Sequence, residues 1–415
     1  KDDKLKDSLF KTALKIKESI YGNRLVLFAP LYVSNYCSNN CLYCGFRRDN
    51  TDMKRKCLNI QEIKEETKII LEDGHKRILM LMGEHPYECS FDYFLKTIEA
   101  AYSVKDSKGN SIRRINVEIA PLTEEEFSKL RHVKIGTYTV FQETYHEETY
   151  KKMHPCGKKS DYLWRLYTMD RALKNGLNDV GIGALFGLYD YRFEVLALIQ
   201  HAKHLDEKYG VGPHTISIPR IEPAQNAPCA MNIPNPVSDE DFKKLVAVLR
   251  CAVPYTGMIL STRESPEMRK QVFNLGVSQI SAGSKTNPGG YKEGLINPEN
   301  EEQFSLNDTR TTGEVIKSVI KQGFVPSFCT GCYRLGRVGQ DFMDLAKPGL
   351  IQLHCLPNAL TTLKEYLMDY ADEETKRAGE NLIKRELINI PNQKRKEKTI
   401  EYLDRIENGE RDLYF

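Results

Sequence analysis

The sequence predicts an α/β protein: a parallel (β/α)8 barrel followed by a small, mainly helical C-terminal domain. Eight short apolar segments alternate with helical stretches, and continuous apolar segments are typical of strands buried on both faces. The length of 415 residues suits a barrel with an appended domain. We therefore predict an N-terminal helical segment (1–24), the barrel (25–325) and a C-terminal domain (326–415).

The elements follow from hydrophobic periodicity. Residues 3–20 place apolar side chains among lysines at the helical period and predict an amphipathic helix. The predicted strands are 25–33, 77–82, 116–119, 135–141, 179–185, 214–219, 258–261 and 277–281. The predicted helices of the barrel are 60–72, 91–102, 123–130, 161–175, 192–209, 238–253 and 265–275. The turn-rich segment 283–290 leads out of the barrel, and the C-terminal domain contains helices at 360–370 and 373–387.

Composition restricts the partners and the compartment. With 60 basic and 57 acidic residues, the net charge of +3 favours neither a nucleic-acid nor a membrane partner. No run of 18 apolar residues is present, and no segment resembles a signal peptide. Eleven cysteines, several of them clustered, are more typical of metal ligation in a reducing cytosol than of disulfides. We expect a cytoplasmic, anaerobic protein.

Three cysteines follow the first predicted strand with the spacing C-x3-C-x2-C, at Cys37, Cys41 and Cys44. Three thiolates would leave one iron of a cubane [4Fe-4S] cluster without a protein ligand and open to a small molecule. Tyr43 could shield one side of such a cluster. The alternative, a zinc site, needs a fourth ligand nearby, and Cys57 and His75 lie 13 and 31 residues downstream.

A second group of cysteines lies in the predicted C-terminal domain, with the spacing C-x2-C-x22-C, at Cys329, Cys332 and Cys355. A CxxC pair can be a redox pair, half of a zinc site or part of a cluster site. No thioredoxin-like context accompanies it, and zinc could recruit His354. Spacing alone does not separate zinc from a cluster. Beside the first triad, a second three-cysteine cluster is favoured.

The first triad resembles the cluster loop of the radical S-adenosylmethionine (SAM) enzymes, in which SAM chelates the open iron. Together with the second triad, the chain resembles the tyrosine lyases that mature [FeFe]-hydrogenase, the HydG family. The resemblance spans nearly the whole chain and includes residues 31–37, 141–146, 212–217 and 332–337. The related thiamine-pathway lyases, the ThiH family, share the barrel and the first triad but lack the second triad.

The resemblance implies a two-stage activity. A deoxyadenosyl radical made from SAM takes hydrogen from the amino group of L-tyrosine, and Cα–Cβ cleavage yields p-cresol and dehydroglycine. Dehydroglycine becomes carbon monoxide and cyanide, captured as Fe(CO)2(CN) on an extra iron at an auxiliary [4Fe-4S] cluster with free L-cysteine. A reductant such as flavodoxin or ferredoxin and a hydrogenase-maturation scaffold protein are the implied partners. The cofactors supply most of this chemistry, and the protein positions and shields it.

Several residues are candidates for SAM binding. Gly83 and Glu84 end the second strand, where the family offers carbonyls and a carboxylate to the SAM amino group. Met82 replaces the first glycine of the family's Gly-Gly-Glu element, and a simple turn with a solvated glutamate is the alternative. Glu143 is expected at the ribose hydroxyls of SAM. We expect Gln142 to contact SAM or tyrosine, and Arg165 to bind the SAM carboxylate or to be a surface arginine.

The carboxylate of tyrosine requires a fixed cation. Arg263, after the seventh predicted strand, can bind a carboxylate with two parallel hydrogen bonds. Arg220, at the end of the sixth strand, competes for this role. Serine hydroxyls at the same rim could add hydrogen bonds, at Ser261, Ser281 and Ser284. No general base is identifiable from the sequence.

One histidine is expected to hold the extra iron. His214 begins the sixth strand, at the opposite mouth of the barrel from SAM, and would face the second cluster if the C-terminal domain covers that mouth. Imidazole is a suitable ligand for ferrous iron. His201 and His204 are the alternatives. The other five cysteines follow no spacing and are interpreted as small apolar side chains.

Two other functions remain open. A radical SAM synthase could use the second cluster as a sulfur donor or a substrate anchor, and p-cresol formation separates this from the lyase. A non-enzymatic iron–sulfur carrier would fail to cleave SAM.

Overall fold

The computed structural model describes residues 3–294 and 302–415. Its strands are β1 (Arg24–Ser34), β2 (Arg77–Met82), β3 (Arg114–Glu118), β4 (Tyr138–Thr139), β5 (Val180–Gly183), β6 (Thr215–Ser217), β7 (Gly257–Leu260), β8 (Gln279–Ser281) and β9 (Val325–Ser327). The helices up to β8 are α1 (Asp3–Tyr21), α2 (Ile60–Glu72), α3 (Phe91–Tyr102), α4 (Glu124–Leu130), α5 (Glu147–Met153), α6 (Tyr162–Leu166), α7 (Thr168–Lys174), α8 (Tyr191–Tyr209), α9 (Pro228–Met231), α10 (Asp239–Ala252) and α11 (Pro266–Phe273). Those after β8 are α12 (Gly290–Gly294), α13 (Thr312–Lys321), α14 (Gly331–Arg334), α15 (Gly339–Ala346), α16 (Gln352–Asp369), α17 (Glu373–Glu386) and α18 (Gln393–Glu407).

Eight parallel strands close into a barrel. Each strand from β2 to β7 pairs with its successor, and β1 pairs with both β8 and β2. Ala29 is opposite Ile78 on one side of β1, and Val26 is opposite Gln279 on the other. Helices surround this sheet, and one large apolar core fills the barrel and the layer beneath the helices. The predicted (β/α)8 fold with a helical C-terminal region is confirmed.

A ninth strand, β9, was not predicted. It pairs in parallel with the first three residues of β1, below the part of β1 that pairs with β2. The three residues Val-Pro-Ser give too short a pattern to distinguish a strand from a turn. The predicted boundary between residues 325 and 326 falls within this strand.

Two predicted elements differ in extent. The strand predicted over 135–141 is regular only at β4, although Val140 and Gln142 still donate backbone hydrogen bonds to the neighbouring strand. The helix predicted over 161–175 is two helices, because Tyr167 (φ −86°, ψ 16°) leaves the helical region between α6 and α7. In the C-terminal region α16 starts eight residues earlier than predicted and includes Pro357.

Side-chain caps define where several helices start. Asn59, Thr123 and Thr311 each accept a hydrogen bond from the first turn of α2, α4 and α13, and a glutamate three residues later reciprocates. Such capping boxes satisfy backbone donors that have no partner within the helix. No helix among the described residues is long and apolar enough to cross a membrane.

Candidate active site and metal centres

A cavity of about 210 Å³ lies at the C-terminal mouth of the barrel. The ends of the strands and the loops that follow them supply its wall, as in other barrels of this type. The loop after β1 brings all three cysteines of the first triad to this wall, as Cys37, Cys41 and Cys44. Most of the other predicted residues of the site also line it: Tyr43, Gly83, Glu84, Glu143, Arg165, Ser261, Arg263, Ser281 and Ser284.

The first triad has the environment of metal-bound thiolates. Amide groups approach two of the sulfurs: Asn39 Nδ2 lies 3.7 Å from the Sγ of Cys37, and Gln303 Nε2 lies 3.5 Å from the Sγ of Cys44. Burial raises the pKa of Cys41 to about 12, so that a bound metal would have to displace its proton. No three His, Cys, Asp or Glu side chains in residues 3–294 and 302–415 converge on a single metal ion. Three thiols around one cavity, with amide donors toward the sulfurs, fit a larger iron–sulfur cluster.

Gly83 allows β2 to approach the cysteine loop. A Cβ at this position would lie 2.2 Å from the carbonyl oxygen of Tyr36 and 3.2 Å from the Cβ of Cys37. The neighbouring Glu84 is tied to the same loop, because its carbonyl accepts hydrogen bonds from Ser38 (2.8 and 2.9 Å) and its carboxylate accepts one from Asn39 (2.6 Å). Glu84 is therefore held beside the cluster loop and is not a solvated turn residue.

A Gly83→Ala substitution is expected to push the end of β2 away from the cysteine loop. Overpacking typically costs about 1–3 kcal/mol, and a clash with backbone favours the upper end. The expected result is lower iron occupancy at the first triad and slower SAM cleavage. Gly313→Ala is the matched control, because its Cβ would meet only the hydroxyl of Tyr366, at 3.7 Å. Equal iron content in the two variants would contradict the role assigned to this close approach.

Glu143 lies in a cluster of charges at the rim. It lies on the segment that continues β4, where its carbonyl oxygen still accepts a hydrogen bond from the backbone of Leu185 at 2.8 Å. Its positive φ of 71° is uncommon for a residue other than glycine. Its Oε1 lies 2.6 Å from Lys159 Nζ and 3.3 Å from Arg165 Nη2. Burial raises the pKa of the Glu143 carboxyl, but Lys159 and Arg165 outweigh this effect and lower it. The carboxylate is thus charged and available to accept hydrogen bonds.

Tyr43 is fixed by a histidine. Its hydroxyl lies 2.7 Å from Nε2 of His154, whose Nδ1 lies 2.7 Å from the carbonyl oxygen of Tyr150. Burial lowers the pKa of His154 to about 3, so the ring is neutral. Nδ1 must then donate to the carbonyl, and Nε2 accepts the proton of the Tyr43 hydroxyl. This pair orients the tyrosine ring at the cavity wall next to the cysteines.

Arg263 and Arg220 differ in their availability. Arg220 donates to Glu264 (2.8 Å) and to Asp239 (2.8 Å), so its charge is already neutralised. The Arg263 guanidinium lies 3.3 Å from the centre of the Phe304 ring and has no carboxylate partner in the described chain. A half-buried cation without an ion pair is suited to an anionic ligand. Between the two predicted arginines, the geometry favours Arg263.

The structure does not bring Gln142 to the cavity. Side chains of an extended segment alternate between its two faces, and here Phe141 and Glu143 face the cavity. Gln142 is buried on the other side, where its Nε2 has no hydrogen-bond partner in the described chain.

Several polar residues of the cavity were missed in the sequence, among them Asn39, Glu118, Lys159 and Gln303. Glu118 ends β3, and burial, with a smaller contribution from Glu143, raises its pKa to about 7. It has no hydrogen-bond or ion-pair partner among the described residues. Its position at a strand end was the only signal in the sequence.

A second cavity lies at the opposite, N-terminal mouth of the barrel. Many of the residues that line it begin the barrel strands or precede them, for example Arg24 on β1 and Arg77 on β2, and the C-terminal region supplies others. All three cysteines of the second triad line it, as Cys329, Cys332 and Cys355, and so does His214. The two cavities share no lining residue in the described part of the chain.

The second cavity is strongly basic. Arg24 Nη1 and Arg77 Nε are buried without hydrogen-bond partners, as are His214 Nδ1 and the Oε1 of Gln279. Burial raises the pKa of the Cys355 thiol, and the nearby Arg24 opposes this effect. Arg77 also donates from Nη1 to the carbonyl oxygen of Cys329 at 3.1 Å, but neither arginine has a carboxylate partner among the described residues. Buried guanidinium groups without a counter-charge favour a negatively charged ligand. Three thiolates on an iron–sulfur cluster would supply it, so the residues fit such a group.

Only one of the candidate histidines reaches the second cavity. Burial lowers the pKa of His214 to about 4, which leaves a neutral ring with a free nitrogen. His201 instead lies 2.8 Å from the hydroxyl of Tyr145, and His204 lies 2.9 Å from Asp170. His354, the possible zinc ligand, does not line the cavity.

Comparisons with known proteins match most of the chain. The model of the radical SAM superfamily matches residues 31–202, and that of the biotin and thiamin synthesis associated domain matches residues 217–325. The chain is 36% identical to 2-iminoacetate synthase of Escherichia coli (strain K12), over 80% of this chain and 85% of the relative. A crystal structure of HydG, a maturase of the [FeFe]-hydrogenase, superposes with a TM-score of 0.96 and is 53% identical, covering 100% of this chain and 89% of that one.

This chain belongs to the HydG family of radical SAM proteins. HydG from Carboxydothermus hydrogenoformans is also similar, with a TM-score of 0.85 and 44% identity over 97% of this chain and 87% of that one. Membership implies a [4Fe-4S] cluster with SAM, for which the C-terminal cavity provides the three cysteines. In this HydG-family protein the second triad lies beyond residue 325, where the second family model ends.

Proposed function

We propose that this protein is a radical SAM lyase that cleaves the Cα–Cβ bond of L-tyrosine to p-cresol and dehydroglycine. Carbon monoxide and cyanide formed from dehydroglycine at the second triad then become the Fe(CO)2(CN) unit for the active-site cofactor of [FeFe]-hydrogenase. The observation that carries this proposal is one barrel with a cysteine triad at each mouth. The relatives support it: 2-iminoacetate is dehydroglycine under another name, and the similar HydG structures are maturases of this hydrogenase.

At the C-terminal mouth, Cys37, Cys41 and Cys44 would hold a [4Fe-4S] cluster, which would supply the reductive cleavage of SAM to a deoxyadenosyl radical. Gly83 and Glu84 receive the amino group of SAM, and the charged Glu143 accepts hydrogen bonds from its ribose hydroxyls. Arg165 and Lys159 keep Glu143 ionised. Arg165 binds the carboxylate of SAM. Tyr43 shields the cluster side of the cavity.

Tyrosine binds in the remaining part of the same cavity. Its carboxylate pairs with the free guanidinium of Arg263, and Ser284, whose hydroxyl has no partner in the described chain, adds a hydrogen bond. Ser281 is less available, because its hydroxyl already accepts the backbone N–H of Thr262 at 3.1 Å. The apolar wall, including Phe304, keeps water from the radical.

At the N-terminal mouth, the second triad would hold an auxiliary cluster and His214 an extra iron. The unpaired groups of Arg24 and Arg77 would attract anions such as cyanide or the carboxylate of free cysteine. Val26 lines this cavity and Phe28 lines the other. Two residues along a strand span about 7 Å, so the two cavities approach closely inside the barrel. The protein would work in an anaerobic cytoplasm, with a reductant that supplies electrons and a hydrogenase-maturation scaffold protein as partners.

The proposal is tested first with the reconstituted wild-type protein, SAM, reductant and L-tyrosine, in the absence of oxygen. Formation of p-cresol supports the lyase. SAM cleavage without p-cresol would favour the radical SAM synthase instead. No SAM cleavage at all would favour an iron–sulfur carrier.

Arg263→Gln is expected to raise KM for tyrosine about 100-fold, because loss of one partner of a buried charge pair costs about 2–5 kcal/mol. Arg263→Lys retains the charge but not the geometry for two parallel hydrogen bonds. Its KM for tyrosine should therefore lie between those of the wild type and of Arg263→Gln. The measurement is p-cresol formation against tyrosine concentration. SAM cleavage in the absence of tyrosine is the control and should not change. An unchanged KM would exclude Arg263 as the carboxylate site.

A further inference from the structure

Two opposite charges in the C-terminal cavity have no ion-pair partner among the described residues. Glu118 at the end of β3 and Arg263 after β7 both line it. Each influences the pKa of the other, yet they form no ion pair. The strands that carry them stand on different sides of the barrel, so their side chains face a common space.

The other carboxylates at the cavity are already engaged. Glu84 accepts a hydrogen bond from Asn39, and Glu143 is paired with Lys159 and Arg165. Glu118 is therefore the carboxylate without a partner among the described residues of this cavity. Glu118 is half-buried, and an unpaired acid that is shielded from water is costly unless a ligand satisfies it.

A zwitterionic amino acid between Glu118 and Arg263 would satisfy both side chains. Its carboxylate and ammonium are attached to the same carbon, so a guanidinium and a carboxylate facing one space can each bind one of them. SAM also carries these two groups, but Glu84 and Arg165 stand beside the cluster loop for that purpose. The second pair of charges thus matches a second amino acid.

We propose that Glu118 is a catalytic residue that binds the α-ammonium group of tyrosine and accepts one proton from it. The step is R–NH3⁺ + Glu118–COO⁻ → R–NH2 + Glu118–COOH: one N–H bond breaks, one O–H bond forms, and no electrons are exchanged. This inference rests on the proposed function. It supplies the general base that could not be identified from the sequence.

The proton transfer matters for the radical step. Hydrogen abstraction from an ammonium would leave a positively charged radical beside Arg263, Arg165 and Lys159. Hydrogen abstraction from a neutral amine leaves a neutral radical. Burial and the charge of Glu143 raise the pKa of Glu118 to about 7, against the opposing effect of the three cations. A base with a pKa near neutrality can accept a proton and release it after turnover.

Binding can test the proposal without turnover. The reconstituted, SAM-loaded protein is titrated with L-tyrosine and with 3-(4-hydroxyphenyl)propionate, which lacks the amino group. We expect the wild type to prefer tyrosine and Glu118→Gln to lose about 10- to 100-fold of this preference. Glu118→Asp should recover part of it. Above pH 7, where Glu118 is ionised, the wild-type preference should increase. The charged or titratable groups around it are Tyr32, Glu143, Lys159, Arg165 and Arg263.

Control measurements separate the outcomes. Glu222→Gln removes another partly buried carboxyl with a raised pKa, outside the cavity, and should keep the wild-type preference. The affinity of Glu118→Gln for SAM should be unchanged. An unchanged preference in this variant, or a loss of SAM affinity, would overturn the proposal even if the wild type makes p-cresol. If the wild type makes none, the proposed function itself fails.

Discussion

A Cys329→Ala/Cys332→Ala variant is expected to make p-cresol at nearly the wild-type rate and to release no carbon monoxide. The reason is spatial: the second triad lines the N-terminal cavity, which shares no described lining residue with the C-terminal cavity. Loss of two thiolates leaves Cys355 alone among buried cations. A cluster cannot be held there, but tyrosine and SAM bind elsewhere.

The measurement is an anaerobic assay with SAM, reductant and L-tyrosine, in which p-cresol is quantified and carbon monoxide is captured by haem. Cys251→Ala is the matched control, because this half-buried cysteine lines neither cavity. Undiminished carbon monoxide would refute the assignment of the second step to this triad. Loss of p-cresol in a variant with a full first cluster would show that the two centres are not separable.

The second large effect concerns stability. Arg269 on α11 and Asp308 form an ion pair whose side chains are fully buried, and Arg269 also donates to the carbonyl oxygen of Ser281 at 2.7 Å. Removing one partner of a buried pair leaves an uncompensated charge and typically costs about 3–5 kcal/mol. We expect Asp308→Ala to reduce the free energy of unfolding by this amount, measured by denaturant titration of the metal-free protein.

An exposed ion pair provides the comparison. Glu124 and Lys174 lie 2.8 Å apart, with more than half of each side chain exposed. Glu124→Ala should change stability by less than about 1 kcal/mol. Similar losses of unfolding free energy in both variants would show that the buried pair is not a main stabilising contact between the loop at Asp308 and β8.

The fold class and both cysteine triads could be predicted from local patterns in the sequence. The eight barrel strands are buried on both faces and therefore appear as continuous apolar segments. The cysteines lie close together along the chain, so their spacing alone describes most of each site. Residues at strand ends were also predictable, because all parallel strands of a barrel point their C-terminal ends to one mouth.

Side-chain direction was harder to predict. Gln142 and Glu143 are neighbours at the end of β4, but they face opposite sides, and the irregular backbone at Glu143 has no sequence signature. Lys159 lies in a short 3-10 helix (Lys158–Ser160) between α5 and α6, and no motif in the sequence marked it as a site residue. Its contact with Glu143 depends on how that segment folds back over the barrel mouth.

The sequence by itself determined the barrel, the two triads and the resemblance to HydG, because these depend on periodicity and on short spacings. Only the tertiary structure decided which charges are free. It paired Arg220 with Glu264, left Arg263 and Glu118 unpaired in one cavity, and placed His214 with the second triad. Ion pairing and burial depend on residues far apart in the chain, so no local pattern encodes them.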